Sequence, residues 1–170
     1  MILGIDPGLA NTGWAVLSNS KIKTKISKTN SVAGEQQFYL VAYGTIKTKV
    51  GDEGAERIGK IIREIRNIIR KFEIKKVGIE GIYFAKNAKS AIKVAEVIGA
   101  IKVASYEMGV EIKEVTPLQV KMALVGYGRA EKEQVEIMVR NFLGLEEIIR
   151  PSHAADAAAV ALTVGFLKDF

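Results

Sequence analysis

Apolar and polar positions follow two different periods along this chain. Ile2 to Asp6 is a short apolar run stopped by Asp6-Pro7-Gly8, and Thr12 to Ser18, carrying Trp14, Val16 and Leu17, reads as its hairpin partner. From Asn19 to Gln37 the character changes: Lys21, Lys23, Lys25 and Lys28 stand against Glu35 alone, among Ser, Thr and Asn. Residues 19–37 are therefore expected to form a basic insertion, mobile or edge-forming. Strand character resumes from Phe38 to Lys49, which predicts three consecutive antiparallel strands.

Helical spacing takes over next. Ile58, Ile61, Ile62, Ile65, Ile68, Ile69 and Phe72 form a core-facing stripe with Arg and Lys between them. Lys75 to Glu80 reads as a strand, Gly81 to Lys86 as a loop, Ala88 to about Met108 as a helix, and Val110 to Val115 as a strand. A proline-initiated helix is expected over Pro117 to Leu124 and another from about Ala130 to Leu143. Ser152 reads as the N-cap of a last, Ala-rich helix reaching about Leu167. The order β-β-β-α-β-α-β-α-α-α predicts an α/β fold, a mixed sheet with helices on its faces.

The 170 residues suit a single domain, residues 1–170. Hydrophobic residues make up 48% and prolines number three, so disorder is excluded and a proper core can form. Cysteine is absent, which removes thiol nucleophiles, Cys-ligated zinc, iron–sulfur clusters and disulfides. With no signal-peptide pattern at the start and no apolar run near the roughly 18–20 residues of a membrane span, a cytoplasmic protein with no membrane partner is expected. Lys+Arg total 25 against 19 Asp+Glu, and the net charge of +6 favours a polyanion, nucleic acid first. A merely solvated basic surface is the alternative.

Two acids share a placement that charge counting misses. Asp6 closes Ile2-Leu3-Gly4-Ile5, and Glu80 closes Val77-Gly78-Ile79. If those strands are parallel neighbours, both carboxylates emerge at the carboxyl edge, where open sheets build their sites. Such a pair repels and calls for a cation or a proton, and an oxygen-rich set selects Mg²⁺ or Mn²⁺. Taken singly, each acid could simply cap a turn or a strand. A third acid, Asp156, lies three residues after His153, the only histidine, on one helical face. Small apolar residues surround the pair, which lets that face approach the sheet closely.

These residues resemble the RuvC family of Holliday-junction resolvases, within the ribonuclease-H-like superfamily. Gly4-Ile5-Asp6-Pro7-Gly8 with Thr12-Gly13 is similar to the family's first motif. Ile79-Glu80 with Tyr83, Ala85-Lys86-Asn87-Ala88 and Ser90-Ala91 is similar to its second. Gln119-Val120-Lys121, Val125-Gly126-Tyr127-Gly128 and Ala130 to Val135 resemble its central segment, and His153-Ala154-Ala155-Asp156-Ala157 its last. Two departures stand out: the stretch 19–37 is longer than the family's turn, and His153 occupies a position where many members carry aspartate.

The resemblance implies a ribonuclease-H-like five-stranded mixed sheet and an endonuclease that resolves four-way DNA junctions by paired symmetric nicks, in recombination and repair. Asp6, Glu80 and Asp156 would hold two divalent ions about 3.5–4 Å apart, Asp6 bridging, Glu80 on the leaving-group ion and Asp156 on the nucleophile-side ion. His153 would complete that site or carry a proton. Lys121 and Lys132 would lie near the scissile phosphate; Tyr83 would stack on an unpaired base, with Phe84 as a second ring and Lys86 at the DNA. The near two-fold symmetry of a junction implies a homodimer, and Val94, Ala95, Ile98 and Ile101 of the Ala88–Met108 helix are expected either at its contact or packed on the sheet. The branch-migration complex of RuvA and RuvB is the further partner implied. Alternatives are another ribonuclease-H-like nuclease, or a non-catalytic nucleic-acid-binding module on the same fold.

Overall fold

The computed structural model describes residues 1–19, 38–82 and 88–167. The element order is β1 (Ile2–Asp6), β2 (Asn11–Ser18), β3 (Tyr39–Lys47), α1 (Gly54–Lys71), β4 (Lys76–Glu80), α2 (Ala88–Glu107), β5 (Glu111–Val115), α3 (Pro117–Val125), α4 (Lys132–Leu143) and α5 (Ser152–Phe166). The strands form one sheet in the order β3-β2-β1-β4-β5. β1, β2 and β3 pair antiparallel, while β1–β4 and β4–β5 pair parallel. This is the mixed sheet with helices that the sequence predicts. Nearly all of the expected basic insertion lies outside the described residues.

Alternation along each strand separates two cores. Leu3 and Ile5 of β1 and Val77 and Ile79 of β4 pack with Ile61, Ile65, Val97 and Ile101 of α1 and α2. The other face meets α5, whose residues from Ala157 to Val164 are all buried, together with Val120 and Leu124 of α3 and Val135 and Val139 of α4. α5 can lie this close because β1 and β2 present glycines to it. A Cβ on Gly4 would stand 2.0 Å from the Ala157 carbonyl oxygen, and one on Gly13 would stand 1.9 Å from that of His153. No other residue leaves room for that backbone approach.

Two helix starts differ from expectation. The N-cap of α5 is Pro151, not Ser152, and Ser152 is already helical. α4 starts at Lys132 rather than Ala130, because Glu131 and Gln134 close a capping box there: the Glu131 N–H donates to Gln134 Oε1 at 2.8 Å. Of the two places open to Ile98 and Ile101, a dimer contact or the sheet, the structure puts them in the chain's own core at 6% and 0% exposure. The large apolar residues of α2 left in solvent, among those described, are Ile92, Val103 and Tyr106. No helix among the described residues is long and apolar enough to cross a membrane.

Candidate active site

β1 and β4 run side by side in parallel, with Ile5 opposite Ile79, so the next residue of each strand, Asp6 and Glu80, leaves the sheet at the same edge. Pro7 ends the β1 ladder because it has no N–H to give. Thr12 Oγ1 donates to the Gly8 carbonyl at 2.7 Å and closes the turn. On β4, the Gly81 N–H donates to the Val115 carbonyl at 2.8 Å, holding Glu80 against β5.

The first turns of α5 supply the other two groups. Because Gly13 seats the His153 backbone directly on β2, His153 Nδ1 comes to 2.7 Å from Asp6 Oδ2. Asp156, one turn on, accepts a hydrogen bond from Lys132 Nζ at 2.6 Å. Asp6, His153 and Asp156 each offer a ligand atom within 4.8 Å of the others, the one such group of acids and histidine among the described residues. Glu80 stands outside that group. It lines a cavity of about 250 Å³ with Asp6 and Pro117, and a second of about 210 Å³ with Asp156, Lys121 and Lys132. Lys121 thus faces the acids from α3 and Lys132 from α4.

The electrostatics are those of acids crowded into a half-buried place. Burial, then the charges of Asp6 and Asp156, push the Glu80 carboxyl up to about 7. Burial also holds Asp6 above the usual carboxylate range; the His153 hydrogen bond pulls the other way, and Asp156 adds to the rise. For Lys132, burial disfavours the ammonium, but its bond to Asp156 together with the charges of Asp156, Glu136 and Asp6 outweighs that and holds it above the ordinary lysine value. Among the described residues, burial and mutual repulsion of these acids are only partly offset by His153 and Lys132. Oxygen donors with one imidazole and an electrostatic need for positive charge fit a hard divalent cation.

A larger cavity, about 610 Å³, lies elsewhere, between β2, β3 and α1, and is lined by Trp14, Lys60 and Lys71. It gathers no cluster of carboxylates, and size alone does not make a site. Tyr83, Phe84 and Lys86 lie outside the described residues. Sequence reasoning did not single out Gly4 and Gly13 as the seat of α5, although glycines inside two apolar strands are the ordinary signal of a close backbone approach.

The chain matches the family model described as crossover junction endodeoxyribonuclease RuvC over residues 2–164. A relative from Treponema denticola, a crossover junction endodeoxyribonuclease RuvC, is 41% identical over 162 residues, which is 95% of this chain and 83% of the relative. Thermus thermophilus RuvC superposes with a TM-score of 0.84 at 36% identity, over 97% of this chain and 93% of that one. The same protein in complex with its Holliday junction substrate gives 0.82 at 34% identity, over 97% and 92%.

Proposed function

The chain belongs to the RuvC family of crossover junction endodeoxyribonucleases, and from that premise we propose that it resolves four-way DNA junctions by two symmetric nicks, cutting at the Asp6–Glu80–Asp156 cluster. The fold is the ribonuclease-H-like one of its structural neighbours. The observation that carries the assignment of the site is convergence: carboxylates separated by 74 and by 76 residues in sequence meet at one sheet edge, with two lysines beside them.

Asp6, Glu80, Asp156 and His153 are the residues that would hold divalent cations, Mg²⁺ or Mn²⁺. When bound, such ions supply a water of lowered pKa and charge stabilisation at the leaving 3′ oxygen. The raised carboxyls of Asp6 and Glu80 support this, since a cation restores the charge balance that the chain leaves open. With Nδ1 of His153 engaged by Asp6 at 2.7 Å, Nε2 is left as the atom for a ligand or a proton. Lys121 and Lys132 offset the charge of the phosphodiester. Lys132 also neutralises Asp156 until substrate and cation arrive.

Cutting two opposed strands calls for two copies of the site. The exposed face of α2 offers the contact: Ile92, Ala95, Gly99, Val103 and Tyr106 fall on one stripe, with Tyr106 80% exposed. Gly99 on that stripe would let two such helices come close. Tyr83 and Phe84 are proposed to stack on bases freed at the crossover, with Lys86 against the backbone. The setting is the cytoplasm, where RuvA and RuvB would deliver the junction. A gel assay of a synthetic four-way junction beside linear duplex, with Mg²⁺, tests the proposal. Paired nicks in the junction alone support it; junction binding without a metal-dependent cut would favour the binding-module reading.

A further inference from the structure

Beside the acidic cluster lies a cavity of another character. It measures about 350 Å³, borders His153, and shares Ser90 and Val94 with the Asp6–Glu80 cavity. Its charged wall is cationic: Arg57 from α1 and Lys93 from α2, with Asn11 and the turn at residues 8–10 completing it and no carboxylate among its lining residues.

Arg57 is the informative member. It sits one helical turn before Ile61 and two before Ile65, on the stripe that α1 buries, and is itself only 8% exposed. Its Nε donates to Thr48 Oγ1 at 2.8 Å, and that hydroxyl donates to the Leu9 carbonyl at 2.5 Å. Among the described residues its two terminal nitrogens meet no hydrogen-bond partner, and no carboxylate pairs with it. The stem and Nε are enclosed, while neither terminal nitrogen is among the fully buried atoms left without a partner, so the guanidinium opens onto the cavity from a position that packing alone would give to an aliphatic residue. With Nε pinned by Thr48, the planar fork is pre-oriented, a geometry suited to two oxygens of a phosphate.

We propose that Arg57, with Lys93, binds a phosphodiester of the cut strand next to the scissile one. The Arg57/Lys93 cavity and the Lys121/Lys132 cavity each adjoin the one shared by Asp6 and Glu80. A strand crossing the acids is thereby gripped on both sides, which aligns the bond to be broken. The identity of the anion as DNA rests on the nuclease reading above; the anion site itself does not.

The test uses Arg57→Met in a Glu80→Gln background, which removes cleavage, and follows junction binding by fluorescence anisotropy across a salt series. The expected result is about ten- to hundred-fold weaker binding, with the slope of log affinity against log salt reduced by about 1. The DNA-free variant should melt within a few degrees of its parent, since Met keeps the packing of the buried stem. A lowered melting temperature with an unchanged salt slope would mark Arg57 as structural and overturn the proposal. Lys93→Gln, at an exposed position, carries the same slope test if Arg57→Met does not fold. A second readout is independent of junctions: the Arg57 Nε–H resonance of the wild type during titration with inorganic phosphate. If the wild type binds no junction yet that resonance moves, the anion site stands and the nuclease reading fails. If the resonance does not move, the anion site falls.

Discussion

Replacing Glu80 by Gln should stabilise the metal-free protein while abolishing its activity. In the folded chain the Glu80 carboxyl titrates at about 7, against 4.5 for an ordinary glutamate, because burial and the charges of Asp6 and Asp156 oppose its ionisation. As pH rises past 4.5 the unfolded chain releases this proton first. Stability from this group is therefore lost between about pH 4.5 and 7 and is not regained above. The difference corresponds to at most about 3 kcal/mol. Gln keeps the shape and cannot ionise. At about pH 8, in chelator, Glu80→Gln should melt higher than the wild type by up to about 6–12 °C. At about pH 4 the two should melt together. Excess Mg²⁺ should then raise the wild type more than the variant, which keeps the Asp6–His153–Asp156 group but lacks the Glu80 charge that the cation offsets. Calorimetry across the pH range is the assay. Parallel pH profiles for the two proteins, or a variant less stable at about pH 8, would refute the reasoning about Glu80.

Other consequences follow from the same geometry. Gly13→Ala puts a methyl into the His153 carbonyl, so α5 must lift from β2; a loss of about 3 kcal/mol or more is expected by denaturant unfolding, together with loss of cleavage. Lys132→Met frees Asp156 of its ammonium; the cleavage rate should fall while divalent-cation affinity, read by isothermal titration, rises. Val103→Glu on the exposed stripe of α2 should give monomers in sedimentation with an unchanged melting temperature, and the two nicks should become uncoupled. Ile101→Glu, in the core, should instead unfold the chain.

Much of this was legible in the residues. Asp6 and Glu80 each end an apolar run, and parallel pairing of β1 with β4 then sufficed to bring them to one edge. The alanines around Asp156 announced a helix face meant to lie close to something. What they could not announce was the seat, since the clearance at Gly4 and Gly13 depends on which element crosses them. α2 shows a different limit. Its apolar residues occupy two faces, Val97, Ile98, Ile101 and Ala104 inward and Ile92, Val103 and Tyr106 outward, so a helical period alone could not tell which face meets the sheet. Arg57 was hidden because a single arginine ahead of an isoleucine stripe looks like its polar flank. Only the i+4 step to Ile61 places it on the buried side.

The central claim is that three carboxylates perform the cut while other groups hold the junction. The most direct measurement compares the wild type with Asp6→Asn on one mobile four-way junction with Mg²⁺, scoring binding by gel shift and nicks by strand mapping. The expected result is binding within a few-fold of the wild type and cleavage reduced by at least about 10²-fold. Near-normal paired nicking by Asp6→Asn would contradict the account.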